Sequence, residues 1–154
     1  MIDIEIEDEA WAAALPDAAA VVETAAVAAL AAAEAPEGAA VTVLLASDEE
    51  VRVLNARFRG KDKPTNVLSF PSPEMAFPHL GDIALAHGVC AAEADEQGKP
   101  LAHHLTHLVA HGVLHLLGWD HESEAEAEEM EDLERRILAK MDIPDPYGSP
   151  DGTP

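Results

Sequence analysis

Residues 111–121 read HGVLHLLGWDH, and no other stretch of the chain restricts its own local fold so tightly. On a helix, positions i and i+4 lie on one face, about 6 Å apart along the axis. His111 and His115 therefore project side by side. That separation lets two imidazoles converge on one ion, with metal–nitrogen bonds of about 2.0–2.1 Å. A further ligand one turn on would stand too far along the axis to close a tetrahedron. Gly118 stands near that point instead, and glycine takes φ > 0 readily and ends helices. The turn lets His121 swing back as a third ligand. The unequal spacing, three residues inside the first pair and five before the last histidine, follows from that turn.

Three histidines leave a fourth coordination position open. Structural zinc sites close all four positions, often with cysteines, and Cys90 is the only cysteine here. An open position holds water, whose pKa a metal lowers to about 7 in favourable sites. The pattern thus points to hydrolysis. Three imidazoles suit several divalent ions, so these residues alone do not select zinc. His107 lies one turn before His111 on the same face. It is read as a supporting or packing residue, with a fourth-ligand role as the alternative. Asp120 adjoins His121 and is a candidate to orient a ligand or the water. His103 and His104 carry no assignment, and His79 and His87 are read as ordinary helix or surface histidines. Zinc peptidases carry H-E-x-x-H, whose Glu is the general base. Position 112 is Gly, which weakens a peptidase reading although the histidine spacing is zincin-like.

The net charge of -21 points away from nucleic acid at first sight, because phosphates repel acidic surfaces. Its distribution is uneven. Arg52, Arg57, Arg59, Lys61 and Lys63 fall between Val51 and Asn66 with one acid, Asp62, so this window carries +5 − 1 = +4. On charge alone it is a solvated helix face with its loop; it can also hold a phosphate chain locally. From Glu122 to Glu134 there are eight acids and no base. A single cysteine excludes an internal disulfide and fits a reducing compartment. The N-terminus lacks the basic and apolar regions of a secretory signal. The longest uncharged apolar run, Ala25 to Ala33, has nine residues, against the ~20 of a membrane span. A soluble, cytoplasmic protein with no membrane partner is expected.

Apolar–acidic alternation in IDIEIE predicts a half-buried strand at the start of the chain, and AVTVLLA predicts a buried strand over 40–46. Between them an alanine-rich helix is expected over 17–34. S-D-E-E at 47–50 is a capping box that opens a helix with Val51, Leu54 and Phe58 inward, closed by Gly60. NVLSFP and GDIALA read as two more strands. Three helices follow, over about 87–96, about 100–117, and after the second capping box, Ser123 with Glu126. The order β-α-β-α-β-β-α-α-α gives an α/β (α+β) domain, 1–143, with one mixed four-stranded sheet, about five helices and a metal site at a helix end. Residues 144–154 hold four prolines and two glycines and read as a loose tail.

HGVLHLLGWDH resembles a signature of the YbeY family, bacterial rRNA maturation factors described as metal-dependent endoribonucleases. NARFRGKDKPTNVLSFP at 55–71 resembles that family's second signature, and GDI at 81–83 its third. The matching region spans roughly Val41 to Ile137. The resemblance implies one zinc-type ion per chain on His111, His115 and His121, and a groove leading to it. It also implies a functional Arg59, the arginine that follows Phe58, with Lys61 and Lys63 as nearby substrate candidates. The implied partners are single-stranded rRNA and the small ribosomal subunit, in 16S rRNA 3′-end maturation and ribosome quality control, with no DNA. A metal hydrolase of another substrate class and a non-enzymatic assembly factor are the alternatives. The strong acidity and the tail are outside the family pattern.

Overall fold

Residues 2–119 and 122–147 are described by a computed structural model of the chain. Its strands are β1 (Ile2–Ile6), β2 (Ala40–Ala46), β3 (Val67–Pro71) and β4 (His79–Ala86). They form one mixed sheet in the order β1-β2-β4-β3, with β1, β2 and β4 parallel and β3 antiparallel to β4. The helices are α1 (Glu9–Ala14), α2 (Ala18–Ala32), α3 (Asp48–Arg59), α4 (His87–Glu96), α5 (Leu101–Leu116) and α6 (Glu124–Ala139). The four-stranded mixed sheet is the one expected. The described residues hold six α-helices against the five anticipated, and the extra one is α1.

Helix α1 has six residues, too few to show a periodicity. Asp8 caps it by accepting from Ala10 N at 3.0 Å. Its purpose is Trp11, which is fully buried and donates its indole N–H to the Ala46 carbonyl at 3.0 Å. A buried indole needs such a partner. The strand tip and α1 are thereby locked together.

Parallel strands buried on both sides require cover on both faces. On one face, Val22, Ala25 and Ala29 of α2 and Leu105, Val109 and Val113 of α5 share a core with Val41, Val43, Leu45, Ile83 and Leu85. The alanines of α2 let helix and sheet approach closely. A smaller cluster, Ala46, Val51, Leu68, Ala84 and Ala86, fills the other face under α3. Phe58 does not point inward as expected: it is 58% exposed. It meets Phe70 of β3, with ring centroids 5.5 Å apart, and β3 is an edge strand with no further strand to cover it.

Both local signals around α3 hold. Ser47 Oγ accepts from Glu50 N at 3.1 Å while Glu50 reaches back to Ser47 N at 3.2 Å, and Gly60 ends the helix at φ 69°. Asp48, in the first turn of α3, also accepts from Val89 N at 3.1 Å and so caps α4. The Ser123 cap of α6 is present as well, with Glu126 N donating to its hydroxyl at 3.1 Å.

Candidate metal centre and cleft

Helix α5 carries the histidines because its other faces are apolar and buried against the sheet and α2. Gly112 allows the close approach to β4: a Cβ there would lie 3.0–3.2 Å from three carbons of Ile83. The position that holds the base in H-E-x-x-H peptidases thus faces the sheet, with no room for a glutamate. The helix ends in a Schellman arrangement. Gly118, at φ 96°, donates to His115 O at 3.0 Å, and Trp119 N donates to Leu114 O at 3.0 Å.

His111 and His115 meet as the spacing requires. Their ring centroids are 4.5 Å apart, and their Nε2 atoms are 3.0 Å apart. The third expected ligand, His121, and its neighbour Asp120 lie outside the described residues. His111 Nδ1 is bonded to Glu134 Oε2 at 2.9 Å. A neutral imidazole has one N–H, so donating it to the carboxylate makes His111 Nε2 the acceptor of the bond with His115 Nε2. Two imidazole nitrogens at this distance suit a shared cation that would replace the proton between them, and a carboxylate behind a ligating histidine is a common arrangement in metal sites. The donor set therefore fits a divalent ion.

Glu134 is a fully buried carboxylate on α6. Its other oxygen accepts from His107 Nε2 at 2.6 Å and from the Tyr147 hydroxyl at 2.7 Å. Burial opposes its ionisation, but the bonds from His107, His111 and Tyr147 outweigh that cost and hold the carboxyl down to about 2. Burial first, and then the Glu134 charge, push the Tyr147 phenol well above its usual range. His107 is thus turned to the same carboxylate as His111.

Arg59 and the two histidines line one cavity of about 340 Å3, whose walls include Ser69, Gly118 and Trp119. Its Nη2 donates to Ser69 O at 2.6 Å, and its guanidinium lies 5.5 Å from the Phe70 ring centroid. The antiparallel strand β3 supplies both contacts. A second cavity of about 530 Å3 shares Arg59 and is lined by Lys61 and Lys63. Asn55, itself buried, donates to Lys63 O at 2.8 Å and shapes that loop. The five bases of the window are not equivalent. Arg52 is bonded to Glu49 and Asp62, whereas Arg59, Lys61 and Lys63 line the two cavities.

With this geometry in place, the comparisons with known proteins are decisive. The sequence model of the family described as "Endoribonuclease YbeY" matches residues 3–142. The chain belongs to the endoribonuclease YbeY family. Among YbeY-family relatives, the Endoribonuclease YbeY of Azorhizobium caulinodans is 53% identical over 155 residues, covering 97% of each chain. That of Rhodopseudomonas palustris strain CGA009 is 51% identical, covering 97% of this chain and 82% of that protein. That of Chelativorans sp. is 58% identical over 131 residues. Among solved structures, TM1509 from Thermotoga maritima superposes with a TM-score of 0.61 at 26% identity, over 97% of this chain and 100% of that one.

Two residues that bond within this YbeY-family site escaped the sequence analysis. Glu134 was counted among the eight acids of a charged face. It occupies the apolar stripe of α6 with Met130, Leu133, Ile137 and Leu138, all buried. An acid on such a stripe is the signal that could have singled it out. Tyr147 lay in the segment read as a loose tail, yet residues 145 and 147 bond to α6. His104, left unassigned, is buried and bonded to Glu93 at 2.8 Å.

Proposed function

We propose that this YbeY-family chain is a metal-dependent endoribonuclease that cuts single-stranded regions of rRNA, in 16S rRNA 3′-end maturation and ribosome quality control. One observation carries the reading: Arg59 and the His111–His115 pair line a single cavity. The residues that would hold a zinc-type ion are His111, His115 and His121. Bound there, the ion supplies Lewis acidity toward a phosphodiester oxygen and toward the attacking water. His111 is kept in the tautomer whose Nε2 is an acceptor, because its one N–H is spent on Glu134. Arg59 anchors one donor on Ser69 O and presents the rest of its fork to the phosphate in the cavity. It offsets charge that builds on the phosphoryl oxygens as the P–O bond breaks.

Lys61 and Lys63 in the adjoining cavity give the next phosphates of the strand a place to lie. This local cationic track reconciles RNA with the acidic whole. A base stacked on Trp119, at the cavity wall, requires an unpaired strand. Among the described residues no helix is long and apolar enough to cross a membrane, which agrees with a cytoplasmic, ribosome-associated role.

The test is the purified chain with zinc, offered single-stranded RNA, duplex RNA, single-stranded DNA, a peptide pool and isolated small subunits. Cleavage is expected for single-stranded RNA and for exposed rRNA in the subunits. Peptide hydrolysis with intact RNA would overturn the reading.

A further inference from the structure

We infer that Glu134 is the positioning residue for the ligand His111, and that Tyr147 completes its setting, so that α6 and the C-terminal segment set how tightly the cleft holds a divalent cation. This rests on the metal-site reading above and assigns the support of that site to two residues far along the chain from the histidines.

The division of labour between the two carboxylate oxygens carries the inference. Oε2 accepts from His111 Nδ1 at 2.9 Å. Oε1 accepts from His107 Nε2 at 2.6 Å and from Tyr147 Oη at 2.7 Å. One oxygen therefore faces a ligand, and the other is held in place by a histidine and a phenol. With two donors on Oε1 the carboxylate cannot rotate, and the His111 ring cannot turn without breaking its bond. A histidine side chain in water favours the tautomer with the proton on Nε2, which blocks ligation from that atom. The Glu134 bond reverses that preference and aims the Nε2 lone pair toward His115 Nε2, 3.0 Å away.

Packing alone does not require an acid at 134. Its neighbours on the stripe, Met130, Leu133, Ile137 and Leu138, are buried and apolar, and Glu134 is 0% exposed. A charge in such a place is unfavourable unless it is well hydrogen-bonded, and Glu134 accepts three bonds across its two oxygens. Tyr147 is in turn clamped. Its ring meets His107 edge-on at 5.3 Å, and the Arg135 guanidinium lies 5.4 Å from its centroid. Asp145 accepts from both Arg135 Nε at 3.1 Å and Tyr147 N at 2.8 Å. The segment is thus strapped to the residue next to Glu134.

The experiment compares the unmutated chain with Glu134→Gln and Tyr147→Phe, each full length. Zinc affinity is read by competition with a chromogenic chelator, and the tautomer of His111 by long-range 15N NMR of the metal-free protein. In the unmutated chain His111 is expected as the Nδ1–H tautomer. Glu134→Gln should mix the tautomers and weaken zinc by about 10–100-fold, the usual cost of losing a partner behind a ligand. Tyr147→Phe should weaken zinc by a smaller factor and leave the tautomer in place. Equal zinc affinity in the unmutated chain and Glu134→Gln would overturn the inference, as would an Nε2–H His111 in the metal-free protein. The tautomer measurement decides alone if Glu134→Gln does not fold. Unchanged affinity in Tyr147→Phe overturns the part given to the C-terminal segment. No zinc uptake by the unmutated chain is a different failure, that of the metal reading itself.

Discussion

Two of the histidine–carboxylate pairs on helix α5 behave differently. His104 bonds to Glu93 of α4, and Glu93 also accepts from Asn66 at 3.0 Å. His111 bonds to Glu134 of α6. In the first pair the carboxylate side chain is 31% exposed, and the second ring nitrogen of His104 is sealed in the interior without a partner. In the second pair the carboxylate is sealed, and the other ring nitrogen meets another imidazole at a cleft. The same chemical pair is a structural staple in one place and, on the proposed function, a ligand support in the other. What separates them is which end of the pair is buried. A histidine becomes a candidate ligand when its carboxylate lies behind it and open space lies in front.

The largest effect that could break this comparison is on metal content. Replacing His111 or His115 by Ala should lower bound metal from about one equivalent towards none, while His104→Ala should leave it unchanged. Elemental analysis of protein purified without chelators or a histidine tag decides, and equal content in all three variants would end the distinction. Next in size is Arg59→Ala. RNA turnover should fall by about 10² to 10³ with the metal retained, the typical loss on removing one preorganised charge. Arg59→Lys should recover only part, since a lysine is a point charge and not a fork. Turnover that survives Arg59→Ala would detach the cation from the chemistry.

A smaller effect is expected at the staple. Glu93→Ala strands the His104 and Asn66 donors, and should cost about 1–3 kcal/mol in urea unfolding without loss of metal. The smallest is a pH effect. Burial pushes the His104 imidazole below its ordinary value, against the pull of Glu93. The unfolded chain therefore takes up this proton first as pH falls. The stability tied to neutral His104 is fully present above the unfolded value, about 6.5, and is lost as pH falls through it toward the lower folded value. His104→Gln should flatten the stability difference between about pH 8 and about pH 5.5. An unchanged slope would mean that other groups carry it.

Signals contained within a few residues were legible in the sequence. The Ser47–Glu50 box, the Gly118 stop and the adjacency of His111 and His115 each depend on neighbours along one helix turn, and each is present. The sheet was also legible, because its strands are either short, largely apolar runs between turn residues or, in β1, an apolar–acidic alternation. One reading failed and one element went unread, both for lack of local information. Phe58 has the spacing of a core residue, and only the edge position of β3 leaves it exposed. Trp11 sits in a helix too short to announce itself, and its burial depends on Ala46, 35 residues away.

The amino-acid sequence by itself determined the class of chemistry: two imidazoles one turn apart, a glycine turn, a third histidine beyond it, and one cationic window. Periodicity and capping are short-range, and they place residues on a helix face without saying what that face meets. Tertiary structure alone decided the partners. Antiparallel pairing of β3 with β4 brought Ser69 to Arg59 and put that arginine in the same cavity as the histidines of α5. Packing of α6 against α5 turned one acid of a charged run, 23 residues from His111, into the carboxylate that bonds its Nδ1. The return of the chain at 145–147 set Tyr147 over it, 40 residues from His107. A hydrogen bond between residues so far apart forms only where both elements already bury their apolar faces together. Their separate sequences do not record that coincidence.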